Sequence, residues 1–335
     1  MAVGKTKGRG RQDREHQSAK TIKTIYVYPL AADFRARMGL PEPVGLIALE
    51  PGEGLDGDAW ASQEFSGAVL GDERLSERLV ASARLQAAQP GQAFSAVAKG
   101  DWPATKGYYR FIDQSDDAPT NVASILAPHR ARTVRRMKAH STVLCIQDGT
   151  DLNYSGLAQC EGLGSIGTNQ TGASSAGLHL HSTLVVTTEG LPLGLLDAQF
   201  HAPASKAEDD KLPITLWVVH VREAAPPAGT KPVEWFLLTT CKLDHVEAAL
   251  ACVRWYCLRW RIEDWHRVLK SGCAIEALAH KTRTRLERAI AIRLVIGWRI
   301  MLMTLLGRTC PALPAEVLFS DIEIEVLAAY AKKND

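Results

Sequence analysis

The spacing of apolar and polar positions changes twice along this chain. Over residues 60–137 the apolar residues recur at helical intervals, as at Leu75, Leu79 and Val80, and strand-like alternation is absent. That stretch predicts a helical unit. At Thr142 the pattern switches: Thr142-Val-Leu-Cys-Ile146 is a short apolar run rich in strand-favouring residues, and it predicts a strand ending at Asp148, with Gly149 breaking it. Residues 178–187 and 191–200 predict two more strands, joined as a hairpin by Thr188-Glu-Gly190. Residues 214–221 and 235–240 predict a further pair, separated by a Pro/Gly-rich turn at 225–232. Helical spacing then returns. Asp244 is placed as an N-cap with Glu247 three residues on, a capping-box spacing, and Gly272 is a natural stop. A second long helix is expected over residues 284–306. The fold class expected is α/β (α+β): a helical N-terminal unit, a strand-rich core and a helical C-terminal region.

Composition adds a boundary at the start. Residues 1–24 are rich in Gly, Lys, Arg and Gln with little to bury, and Pro41, Pro43, Pro51, Gly52, Gly54 and Gly57 follow as a linker. Residues 1–55 are therefore read as a basic disordered arm and linker, 56–138 as the helical domain, 139–272 as the core and 273–335 as the helical C-terminal region. The formal net charge of +2 hides an uneven distribution. Residues 1–38 carry nine Lys/Arg against Asp13, Glu15 and Asp33, and residues 251–308 carry twelve against Glu263, Asp264, Glu276 and Glu287. Such basic blocks suit a polyanionic partner. The seven cysteines include no Cys-x-x-Cys pair, which fits free thiols in a reducing compartment. The most apolar run, residues 289–306, is interrupted by Arg293 and Arg299 and reads as a buried helix rather than a membrane span. The N-terminal residues carry charge but no apolar h-region and do not read as a secretory signal, so a soluble, cytoplasmic protein is expected.

The candidate chemistry lies in the helix predicted after Asp244. Tyr256, Arg259, Glu263 and Lys270 are three, four and seven residues apart, which on one helix places them within a ~60° stripe. A carboxylate able to bind a divalent ion, beside cations for phosphate and a Tyr to pack on nucleic acid, is what metal-assisted phosphodiester chemistry uses. Spacing alone leaves a second reading equally open, a solvated charged face with Arg259 and Glu263 as an ordinary i,i+4 pair.

The segment Tyr256-Cys-Leu-Arg-Trp-Arg-Ile-Glu-Asp-Trp-His-Arg-Val-Leu-Lys270 resembles the Tyr-x2-Arg-x3-Glu-x6-Lys signature of the hairpin-forming insertion-sequence transposases, the insertion-sequence-four family. Upstream, Trp60-Ala, Phe65-Ser, Leu70-Gly-Asp-Glu-Arg74, Arg78-Leu-Val80 and Gly107-Tyr-Tyr-Arg-Phe111 resemble that family's N-terminal DNA-binding domain. The resemblance implies an RNase H-like core of DDE type, Mg2+ or Mn2+ as cofactor, and double-stranded DNA as partner: the inverted-repeat ends of a transposon, then target DNA. It further implies a homodimer, or a heterodimer with a full-length enzyme, and a bacterial setting. Cys145-Ile-Gln-Asp-Gly-Thr150 resembles the first core strand, which makes Asp148 and Glu263 the implied catalytic and metal-binding carboxylates. Arg74, Arg78 and Arg110 take DNA-binding positions, and Trp235, Tyr256, Arg259 and Lys270 take those that hold the cleaved end. Trp235 also reads equally well as a core residue, since its neighbours are apolar.

One implied residue has no counterpart. The family's middle Asp sits on a fourth strand, parallel to the first, well before the glutamate. Here the third strand ends near Phe200, and only His201-Ala-Pro-Ala-Ser-Lys-Ala-Glu-Asp-Asp-Lys-Leu-Pro213 precedes a segment resembling a strand far downstream. An internal in-frame deletion near Asp210 and Lys211 is expected, with impaired cleavage as its consequence; the alternatives are a non-catalytic end-binding protein that inhibits or modulates transposition, or an unstable pseudogene product. Asp209 and Asp210 lack a preceding strand to hold them as substitutes. Elsewhere, His179-x-His181 reads as packed strand residues rather than a zinc site. Arg130, Arg132, Arg135, Arg136 and Lys138 form a basic run that meets either DNA or water.

Overall fold

The first helical stretch becomes five helices: α1 (Trp60–Phe65), α2 (Glu73–Ala88), α3 (Phe94–Val97), α4 (Trp102–Ile112) and α5 (Val122–Met137). Their starts follow from local polar residues. Asp72 accepts from the Arg74 amide to cap α2, Asp101 accepts from the Ala104 amide to cap α4, and Asn121 and Ser124 cap α5 reciprocally. Such caps contribute about 1 kcal/mol each. The computed structural model describes residues 59–168, 172, 174–202, 217–224, 226–227, 229–239 and 241–334. The arm expected at residues 1–55, and Asp209 and Asp210 with most of the expected deletion segment, lie outside these residues.

The strand-rich region forms β1 (Val143–Asn153), β2 (Gly164–Thr168), β3 (Ser174–Thr187) and β4 (Pro192–His201). Every pairing in this sheet is antiparallel. β3 is its spine, with β1 along one side and β2 followed by β4 along the other. Two expectations are corrected here. β1 does not stop at Asp148 but runs through Gly149 to Asn153, because the ring of His179 lies over Gly149, where a Cβ would be 2.4 Å from Nε2. The strand glycine marks a close approach rather than a break. β2 was not foreseen. Among the described residues β1 pairs with β3 alone, so its other edge carries no strand.

β5 (Trp217–Arg222) and β6 (Glu234–Thr239) form a separate antiparallel hairpin. It packs Val219, Trp235 and Leu237 inward and leaves Val218, Phe236 and Leu238 exposed. The single helix expected between Asp244 and Gly272 is instead three segments: α6 (Val246–Cys257), α7 (Trp260–Arg267) and a π turn (Val268–Gly272). At the first junction the amides of Leu258, Arg259, Arg261 and Ile262 bond to carbonyls three residues back, so a 3₁₀-type step joins the helices. The N-cap is His245, whose ring accepts from the Ala248 amide, while Asp244 pairs with Lys242. Gly272 does end the helical run.

Beyond it, α8 (Arg283–Thr309) runs through the core, and α9 (Asp321–Asn334) closes the described chain. α8 is long and apolar enough to cross a membrane by length and composition, yet 78% of its apolar window is buried inside the protein. Its arginines serve this burial. Arg288 donates to the carbonyls of Ile112, Gln114, Ser115 and Thr120, closing the C-terminal end of α4. Arg293 reaches Gln86 of α2, and Arg299 donates to the Leu318 carbonyl. One hydrophobic core therefore extends from the N-terminal helices through α8 to the sheet.

Candidate DNA-binding surface and carboxylate site

Asp148 lies in mid-strand on β1, directly opposite Ser182 of β3. Its Oδ1 accepts from the Gly149 amide at 2.8 Å, and its Oδ2 accepts from Arg259 Nη1 at 3.1 Å. The same guanidinium nitrogen is 3.7 Å from Glu263 Oε1. Arg259 thus stands between two carboxylates that come from elements more than a hundred residues apart in sequence. Its other face lies 5.5 Å from the Trp260 ring, which limits its movement. Burial raises the proton affinity of Glu263, and a hydrogen bond with Asp148 together with that residue's charge raises it further. The site therefore brings two acidic groups close enough to share a proton or a cation.

Tyr256 and Lys270 extend the site in opposite directions. Tyr256 meets Trp235 edge-on, with ring centroids 5.0 Å apart. Trp235 is buried, with 8% of its surface exposed. Lys270 Nζ donates to the Asp151 carbonyl at 2.7 Å and lies 4.0 Å from Glu276. The stripe of four is thus spread over the end of α6, the 3₁₀ junction, α7 and the π turn, and Arg259 with Glu263 is the pair that faces Asp148.

At the N-terminal unit, Arg74 is exposed and held by Asp72, with Nη2 to Oδ2 at 2.9 Å. That hydrogen bond holds the Asp72 carboxyl below its ordinary value. Arg78 follows one turn later, and Gly107 of α4 sits over its stem: a Cβ there would be 3.7 Å from Arg78 Cγ. The missing side chain lets α2 and α4 cross closely, which brings Arg78 near the turn that carries exposed Arg110.

Residues 57–116 match the family described as transposase DNA-binding. The match covers α1 to α4, including Arg74, Arg78 and Arg110, and stops before α5. It supports a transposase-family protein with a DNA-binding role and DNA as partner.

The basic run beyond the match divides in two. Arg130, Arg135 and Lys138 are exposed. Arg136 is buried, donating to Glu64 at 2.8 Å and to the Leu193 carbonyl at 2.6 Å with its guanidinium 4.6 Å from the Trp298 ring centroid. Arg132 also pairs with Glu64 at 3.2 Å. These two bind α5 to α1 and the sheet, which corrects their reading as a surface meeting DNA or water.

One neighbour of the carboxylate pair escaped the sequence reading. His266, one turn after Glu263, is buried, with Nε2 3.3 Å from Ser182 Oγ, opposite Asp148. Burial holds its imidazole down to about 4, against the pull of the Asp148 charge. The Glu263-x-x-His266 spacing was the available signal, since i and i+3 share a helix face. On the opposite face of β1, Asp151 pairs with His179 Nδ1 at 2.8 Å.

These residues fit a two-ion phosphodiester centre poorly. Such a centre needs a bridging carboxylate and further ligands on each side. Among the described residues no group of three or more His, Cys, Asp or Glu is arranged to hold a metal ion. The cation between Asp148 and Glu263 is Arg259.

Proposed function

We propose that this chain is a transposase-lineage protein of the insertion-sequence-four type that binds double-stranded transposon ends and is impaired in cleaving them. The observation that carries the DNA-binding role is the match of residues 57–116 to the transposase DNA-binding family. On this reading, Arg74, Arg78 and Arg110 contact backbone phosphates, and Trp235, Tyr256 and Lys270 flank the DNA end. Asp148 and Glu263 are the surviving carboxylates of a DDE-type, RNase H-like core. That no described strand lies along the free edge of β1 supports the deletion, because the parallel strand carrying the middle Asp is expected along that edge.

In the intact lineage Mg2+ or Mn2+ supplies Lewis-acid activation of water and of the freed 3′ hydroxyl. Two carboxylates bridged by an arginine do not fit that centre, and no cleavage step is assigned to this chain. A second reading follows from the same observation: a binding-only product that occupies ends, or pairs as a homodimer or with full-length enzyme, and so inhibits transposition in the bacterial cell. A gel shift with end-containing duplex, paired with a Mn2+-dependent cleavage assay, tests both. Specific retention without cleavage supports the binding-only reading. Residual cleavage abolished by Asp148→Ala or Glu263→Ala overturns the claim that the deletion is disabling, and no retention overturns the DNA-binding role.

A further inference from the structure

We infer that Arg259 is the resident cation of the Asp148–Glu263 pair, occupying the place a divalent ion would take, so that the free protein excludes metal until that guanidinium is withdrawn. The inference rests on the reading of Asp148 and Glu263 as surviving carboxylates of a transposase-type centre. Its basis is geometric. A single nitrogen, Nη1, lies 3.1 Å from one carboxylate and 3.7 Å from the other. The Arg259 and Asp148 side chains are 23% and 17% exposed, so solvent screens that pair less than a surface one, while Glu263 at 39% is more open. Two carboxylates held this close repel unless a proton or cation lies between them. Arg259 provides that cation, and the Trp260 ring 5.5 Å away helps hold it there; with Arg259 removed, the two carboxylates are left to a single ion rather than the two-ion centre. A guanidinium spent in this way is also unavailable to a DNA phosphate.

Mn2+ titration of the DNA-free full chain, followed by the loss of the free-ion electron paramagnetic resonance signal, tests this. Arg259→Ala and the closer-sized Arg259→Gln should each bind Mn2+ about ten-fold or more tightly than the unaltered chain, because the competing guanidinium has gone from a partly buried site. Adding Asp148→Asn to either variant should abolish the gain. Thermal denaturation gives the second measurement: Mn2+ should raise the melting temperature of the Arg259 variants and leave that of the unaltered chain unmoved. Equal affinity in all forms, tighter binding by the unaltered chain, or a gain that survives Asp148→Asn overturns the inference. DNA retention is read in the gel shift, so its absence would fail the DNA-binding proposal while leaving the Mn2+ result to decide this one.

Discussion

Glu64 of α1 accepts a hydrogen bond of 2.5 Å from His129 Nδ1 of α5, with both side chains withdrawn from solvent. The ring's other nitrogen, Nε2, accepts from the Leu195 amide of β4 at 3.0 Å. Only a neutral imidazole protonated at Nδ1 makes both bonds, and burial favours that state by lowering its proton affinity. The negative charge on Glu64 is answered by Arg136 and Arg132. Glu64→Gln leaves Arg136 buried without its counter-ion, and removing one partner of a buried pair costs about 3–5 kcal/mol. Urea denaturation at pH 7 should show a loss of that size, and a loss under 1 kcal/mol would contradict the assignment of this cluster as a structural lock.

The same cluster sets an acid limit. Burial disfavours the Glu64 carboxylate, but His129 and Arg136 outweigh it and hold its pKa at about 2, against 4.5 when unperturbed. Between those values the unfolded chain binds more protons, so stability rises with pH across that window. The contribution is complete above about pH 4.5 and is lost as pH falls toward 2. Denaturation measured at steps from pH 6 to pH 3 should therefore show the difference between the unaltered chain and Glu64→Gln narrowing below pH 4.5. A difference independent of pH would sink the claim.

Gly177 controls how closely three strands meet below the carboxylate site. It lies opposite Asn153 of β1 and Gly164 of β2, and a Cβ there would fall 2.0 Å from the Leu152 carbonyl oxygen. That oxygen belongs to backbone and cannot swing aside. Gly177→Ala should destabilise the protein by about 2 kcal/mol or more through strain. It should also perturb the β1–β3 register on which the position of Asp148 depends. Amide exchange across 143–153 and 174–187 would report the change, and unaltered protection would argue against it.

How much of this was legible in sequence depended on the range of the interactions. Arg259 and Glu263 were readable as an i,i+4 pair because their relation is local, and the ion pair is present. That Asp148 would close the other side came only from family resemblance, since no periodicity links positions so far apart. The break at Leu258 was not readable because neither Gly nor Pro marks it; Leu258 and Arg261 instead pack near the Gly190 turn of the β3–β4 hairpin. Arg136 looked like part of a surface run because its partner, Glu64, lies far upstream. β2 was missed because Gly-Ser-Ile-Gly-Thr has one apolar residue and no alternation to detect.

The N-terminal arginines permit a test that separates DNA contact from folding. Arg74 sits at an exposed helix start with Asp72 as its described ion-pair partner, so replacing it should cost little stability. Arg78 and Arg110 lie near the α2–α4 crossing, also outside the core. If each neutralises one phosphate, each Ala substitution should weaken binding to any duplex and reduce the slope of log affinity against log salt by about 1. Arg130→Ala, beyond the matched residues, provides the comparison: on this assignment it leaves the slope unchanged. Fluorescence anisotropy over a salt series from 50 to 200 mM, run as an order-of-magnitude bracket for phosphate-driven binding, reads the slopes directly. Because Arg74 carries Asp72 as a competing anion, the single substitution Asp72→Asn, with Arg74 intact, should strengthen binding, as a freed guanidinium meets phosphate without an internal rival. A slope unchanged by all three arginine substitutions would move the DNA-binding face away from the α2–α4 edge.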